Sequence, residues 1–169
     1  MKLRYLFVFL FLFFNGFAQD NHPVPPKNKN HLFYIQHNAN HNTFVYDLNL
    51  IKSEINPSNP INIYKINYKK DGKKEELTSL QRKFAYGVHF KLNSTTTFFL
   101  SASKNIPFEL KHANNNYWVE VNVNNKRIRI EKIFIITDKS TSGIGTKVEQ
   151  LVIYGKTATG NNIAEKVKP

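Results

Sequence analysis

Cysteine is absent from this chain. That single absence removes disulfides, cysteine nucleophiles, cysteine–zinc sites and lipid attachment at an N-terminal cysteine. Arginine is scarce: Arg4, Arg82, Arg127 and Arg129 are the only copies among 24 basic residues. The planar guanidinium fork that reads phosphates and base edges is thus rationed, which argues against a nucleic-acid partner. Long apolar runs are missing after Phe14, so no later segment reaches the ~20 residues a membrane-spanning helix needs. Among motifs, G-x-S-x-G and H-E-x-x-H do not occur.

The chain opens with a basic Met1-Lys2-Leu3-Arg4 and an apolar run from Tyr5 to Phe14, followed by Gly16-Phe17-Ala18. A run of ten residues is half a membrane span, and the small residues at positions 16 and 18 suit a signal peptidase. Residues 1–18 therefore read as a signal peptide, and the protein as exported, periplasmic or extracellular. The mature chain would carry no transmembrane segment. Losing Lys2 and Arg4 lowers the net charge from +12 to +10, still strongly basic. Such a balance is expected of an AT-rich coding sequence, and it also favours an anionic envelope surface such as acidic glycan or phosphorylated lipid.

Residues 19–30 carry Pro23, Pro25 and Pro26 among polar residues and read as an extended, partly disordered linker. Residues 31–169 make one domain of ordinary size, long enough to bury its own core. Within it, alternation dominates. Strands are expected at 32–36, 43–50, 61–68, 88–93, 95–102, 108–112, 117–123, 126–137, 148–154 and 163–167. Asn124-Asn125 suits a tight hairpin with positive φ. The strand 126–137 starts with strict alternation and becomes apolar on both faces at Ile133-Phe134-Ile135-Ile136, as a strand does on entering the middle of a sheet.

One helix is expected. Thr78-Ser79-Leu80-Gln81 fits a capping box, and Leu77, Leu80, Gln81, Phe84 and Val88 fall on one side of the turn, with Gly87 as its stop. The fold class is mainly β: an antiparallel β-sandwich or small β-barrel of about eight to ten strands with one short helix.

Taken in order, Leu32-Phe33-Tyr34-Ile35-Gln36, Thr43 to Asn49, Asn59 to Tyr64, and above all Leu80-Gln81-Arg82-Lys83-Phe84-Ala85-Tyr86-Gly87 resemble the Domain of Unknown Function 4833 family. Lys65 stands where a large aromatic is usual in that family, and the loop histidines are peculiar to this chain. The resemblance implies a small exported bacterial protein with no established activity. It transfers an architecture and an address, not catalytic residues.

For chemistry, the helix comes first. Arg82 and Tyr86 lie one turn apart, opposite the Leu80/Phe84 stripe, and so would point outward, a forked donor beside a flat wall. With Gln81, and with Tyr34 and Trp118 on neighbouring strands, they form the candidate binding set; the ordinary alternative is a solvated face with Arg82 in an ion pair. His31, His37 and His41 lie within eleven residues, with Asp47 or His89 as further donors, but no recognised metal spacing is present and no metal or other cofactor is assigned. Ser101-Ala102-Ser103-Lys104 matches S-x-x-K, though on a strand end where that chemistry needs a helix. Glu109, Glu120 and Glu131 near Trp118 could flank a glycosidic bond, yet glutamates opposite lysines are usual on exposed strands. No catalytic residue is assigned. The sequence reads as a non-catalytic binding or interaction module at the cell envelope, with a small molecule, an anionic envelope ligand or a protein as partner. The rivals are a small glycan or peptide hydrolase and a structural subunit pairing through a sheet edge.

Overall fold

The computed structural model describes residues 22–141 and 143–168, so the expected signal peptide lies outside the described residues. The strands are β1 (His31–His37), β2 (Asn40–Leu48), β3 (Leu50–Ile51), β4 (Glu54–Ile55), β5 (Ile61–Asn67), β6 (Lys73–Glu76) and β7 (Val88–Phe90). Then come β8 (Thr97–Leu100), β9 (Ser103–Ala113), β10 (Asn116–Val123), β11 (Lys126–Thr137), β12 (Val148–Lys156) and β13 (Asn162–Val167). The short helix α1 (Ser79–Gln81) runs on into a π turn, Arg82–Tyr86.

The protein is mainly β with one short helix, but the sheet is neither antiparallel throughout nor closed. Its order is β6-β5-β2-β1-β11-β10-β9-β8-β7, with β12 and β13 added at β11. The pairing of β1 with β11 is parallel, Tyr34 opposite Lys132 through His37 opposite Ile135. The sheet is therefore mixed, a curled and open half-barrel. Alternation could not reveal this, because the in–out period of a strand is the same in either direction.

β11 organises the molecule. Its first half, Lys126 to Arg129, pairs with β10. Further along, Lys132 to Ile135 lies between β1 on one side and β12 on the other. That explains why Ile133 to Ile136 is apolar on both faces: the strand does pass from one half of the sheet into its middle. The two halves curl over one core. Tyr46 stacks on Phe33 (4.4 Å between ring centroids), Phe33 on Phe108 (6.4 Å), and Phe108 on Phe98 (5.5 Å). Ile128, Ile130, Ile133 and Ile153 fill the space around them.

Local chemistry sets most of the turns. Asn124 and Asn125 take φ of 50° and 60°, as the hairpin expectation required, and Asn114 and Asn115 repeat the device between β9 and β10. Lys104 to Pro107, expected to be loop, lies inside β9. There β9 bulges away from β8 between the Leu100–Ser103 and Phe98–Phe108 pairs, which is where a proline without an N–H can sit.

The segment 22–30 is not a free linker. His31 N–H donates to the Asn28 carbonyl, Leu48 N–H to the Asn30 carbonyl, and the Asn28 amide to Asp47 Oδ2 at 2.6 Å. Pro25 is buried, and the fold begins before His31.

Candidate functional site

The helix block folds as its cap dictates but faces the other way. Thr78 N–H donates to Gln81 Oε1 (3.0 Å) and Gln81 N–H to Thr78 Oγ1 (3.2 Å), so the capping box is complete. After one α turn the backbone widens into the π turn, whose larger period moves each later side chain off the expected wheel. Leu80 and Phe84, expected to face the core, are 55% and 56% exposed. Tyr86, expected to point outward, lies flat on Phe44 with centroids 3.4 Å apart, and its carbonyl accepts the Tyr46 hydroxyl at 2.7 Å. Burial pushes the Tyr86 phenol up to about 12. Gly87 ends the turn because a Cβ there would stand 1.9 Å from the Arg82 carbonyl oxygen.

The five candidate residues do not converge. Gln81 is engaged in its capping box. Arg82 is exposed and makes a loose pair with Glu76 at 3.4 Å. Tyr86 belongs to the packing. Tyr34 is buried on the outer face of the sheet with Val45, Tyr64 and Ile66. Trp118 lines a cleft.

That cleft, about 240 Å³, is lined by Trp118, Glu120, Arg127, Arg129, Lys156 and the turn from Thr157 to Gly160. Strand register builds it. Glu120 lies opposite Arg129, and Arg129 opposite Lys156, so one outward row crosses β10, β11 and β12. Gly155 lets β12 come this close, since a Cβ there would meet the Arg129 carbonyl oxygen at 2.0 Å. Glu120 holds the cleft in shape: it accepts the Trp118 indole N–H (2.7 Å) on one oxygen and the Arg127 Nε–H on the other. The Arg129 guanidinium sits over the indole, 5.1 Å from the ring centre. Arg127 also approaches Glu109 at 3.9 Å, and Lys156 approaches Glu131 at 3.9 Å. Among the described residues, Arg129 has no carboxylate partner.

The sequence places Glu120 near Trp118, but it does not show the cations that join them. Two of the four arginines fall on one patch only because Asn124-Asn125 turns β10 onto β11 in this register. Lys156 joins them through a strand pairing that nothing local encodes.

The other constellations resolve into structure. Glu109 and Glu120 are directly opposed. The hydrogen bond from Lys111 is the main influence holding the Glu109 carboxyl below its usual range, so it stays ionised, unlike the proton donor that sugar cleavage needs. Ser101 is buried; its hydroxyl donates to the Arg82 carbonyl (2.9 Å) and lies 2.9 Å from His89 Nε2. A serine has one proton, so His89 is the donor in the second bond. This is the reverse of a base activating a nucleophile, and it ties the π turn to β8. His31 Nδ1 meets Asp47 Oδ1 at 3.1 Å. His37 is buried beside the stacked Phe44–Tyr86 pair, and the His41 ring packs at a tilt against His22. Among the described residues, no group of three or more histidines and carboxylates is placed to hold a metal ion.

A family model described as Domain of unknown function (DUF4833) matches residues 33–166, from β1 into β13. The chain belongs to this family. The DUF4833 match takes in the capped π turn, the cleft around Trp118 and the parallel β1–β11 pair, while residues 22–30 precede it. No curated protein and no solved structure matches the chain.

Proposed function

We propose that this DUF4833 protein is an exported, non-catalytic binding module of the cell envelope, and that it takes an anionic group in the Trp118 cleft. The observation that supports this is Arg129, a guanidinium with no carboxylate partner among the described residues, held over an indole and beside Lys156. Three cationic side chains against one carboxylate leave the lining net positive. A fork and an ammonium on directly paired strand positions in one cleft suit a sulfate, phosphate or carboxylate, and the indole offers a flat apolar wall to whatever carries it. At about 240 Å³ the cleft falls below the roughly 300–1,000 Å³ of drug-sized sites, so it fits a headgroup or a single sugar ring. The basic net charge would raise the encounter rate with an anionic surface.

Trp118 is the only tryptophan, so its fluorescence reports directly on the cleft. The mature protein is titrated at low salt with inorganic phosphate, a sulfated disaccharide and vesicles containing anionic lipid. The expected result is a saturable emission change with at least one of these, lost in Arg129→Met, while the melting temperature of that variant stays unchanged. Phosphate or sulfated sugar acting alone points to a soluble ligand, and vesicles acting alone point to lipid headgroups. No response to any of the three, with the protein folded, overturns the reading.

A further inference from the structure

The outer face of β1, β2 and β5 carries an aromatic cluster, and the chain's own proline-rich start is anchored at both ends of it. Tyr34, Val45 and Tyr64 lie side by side across the three strands, with Ile66 packed against them. At one end of this face the Gln36 amide donates to the Thr43 hydroxyl and to the Pro23 carbonyl, both at 2.7 Å. At the other end Asp47 accepts from Asn28 (2.6 Å), Tyr64 (3.1 Å) and His31 (3.1 Å). Residues 22–28 run between these two anchors, with Pro25 buried.

The bonding differs in kind from the rest of the fold. Strands hold each other through ladders of backbone bonds, but Pro23, Pro25 and Pro26 have no N–H to offer, and residues 22–28 join no strand. What remains is a carbonyl taken by a side-chain amide, a buried proline between the two anchors, and a terminal clamp. Those are the elements by which aromatic grooves recognise extended proline-rich segments, whose backbone is preordered by its prolines. Besides the Asn28 clamp, Gln36 and the burial of Pro25 hold the strap, as does His22, whose ring nitrogen meets the His37 and Asn40 carbonyls at 3.1 and 3.3 Å and whose ring packs on His41 and Phe134. A terminal segment outside the strand ladders lies at the low-stability end of a fold.

We infer that this face is a recognition surface for an extended, proline-rich segment of a partner polypeptide, and that residues 22–30 occupy it as an internal competitor. A partner must outcompete a tethered strap whose effective concentration is about millimolar. The inference is independent of the Trp118 cleft, which involves other residues.

The test uses the full mature chain and a synthetic peptide of residues 22–30. In a chain loosened by Pro25→Gly and Asn28→Ala, the peptide should bind saturably and shift the Gln36 side-chain amide resonances. It should bind at least tenfold more tightly than to the unchanged chain. The same peptide with its prolines replaced by serine should not bind, and Gln36→Ala in the loosened chain should weaken binding tenfold or more. Equal binding of the serine peptide, or no binding to a folded chain whose strap amides exchange freely, overturns the proposal. Should the loosened chain fail to fold, millimolar peptide is added to the unchanged chain and strap exchange is followed. Faster exchange at Val24 and Lys27 to Asn30 supports displacement, and unchanged exchange refutes it.

Discussion

Tyr86 and Phe44 stack with their planes within 11° of parallel, and the Tyr46 hydroxyl closes the arrangement from below by donating to the Tyr86 carbonyl. A helix of barely two turns cannot hold itself together, so this stack and the Ser101 bond to Arg82 are what fix it to the sheet. Tyr86→Ala should therefore cost about 2–3 kcal/mol, somewhat below a fully buried aromatic, and lower the melting temperature by roughly 4–12 °C in a chain of this size. Arg82→Ala, which removes only a loose exposed pair, should stay within about 1 kcal/mol of the parent. Thermal unfolding of both variants separates them, and a large loss in Arg82→Ala would contradict this account of the helix.

Gly87 carries a sharper prediction. Its missing side chain leaves room for the Arg82 carbonyl, which closes the π turn. Gly87→Ala must push backbone against backbone, and overpacking of this kind costs about 1–3 kcal/mol. Denaturant unfolding should show a lower midpoint with an unchanged slope.

The helix also shows where sequence reasoning ends. Thr78 and Gln81 announce their capping box because both partners lie within four residues. Asn124-Asn125 announces its hairpin for the same reason, and Ile133 to Ile136 announces a central strand by being apolar on both faces. The orientation of Leu80 and Phe84 is not local: it depends on a π turn selected by Gly87 and Ser101, fourteen positions apart. The parallel partner of β1 lies about a hundred residues away, and β6 is written Lys-Lys-Glu-Glu, with no apolar signal at all. The scatter of the five candidate binding residues has the same cause. Trp118 has the look of a binding residue, but the cations beside it are assembled by register. A direct check follows: Leu80→Ser and Phe84→Ser should each change stability by under about 0.5 kcal/mol, as exposed positions do, where a core stripe would lose several.

His37 gives a pH dependence with a definite sign. Burial, with His22 near by, depresses its imidazole to about 4, from 6.5. The unfolded chain then binds a proton that the folded one refuses, so stability falls as pH drops from about 6.5 toward 4, by up to about 3 kcal/mol. Asp47 acts lower. Burial would raise its carboxyl, but the hydrogen bonds from His31, Asn28 and Tyr64 together with the attraction of His31 outweigh that and leave it lowered, so its contribution is lost only as pH falls below the ordinary carboxylate range. Stability should hold from pH 8 to about 6.5 and fall from there toward pH 4, and His37→Gln should flatten that fall. An equal slope in the variant would assign it to another group.

Glu120 allows the cleft to be tested in two opposite directions. Its two oxygens hold the Trp118 N–H and the Arg127 Nε–H, so the carboxylate both positions the lining and neutralises part of its charge. Glu120→Gln keeps an oxygen for the indole but removes the charge, leaving Arg127 available to an incoming anion. A full charge some 6 Å from the ligand, largely solvated, is worth about 0.7–1.4 kcal/mol, a tightening of roughly threefold to tenfold. That gain should fade as salt approaches 1 M, where the screening length is about 3 Å. Glu120→Ala should weaken binding instead, because the indole and Arg127 both lose the group that orients them. Fluorescence titrations of the two variants at low and high salt read both effects. Loss of affinity in both would mean that positioning outweighs charge, and no change in either would remove the cleft from consideration as an anion site.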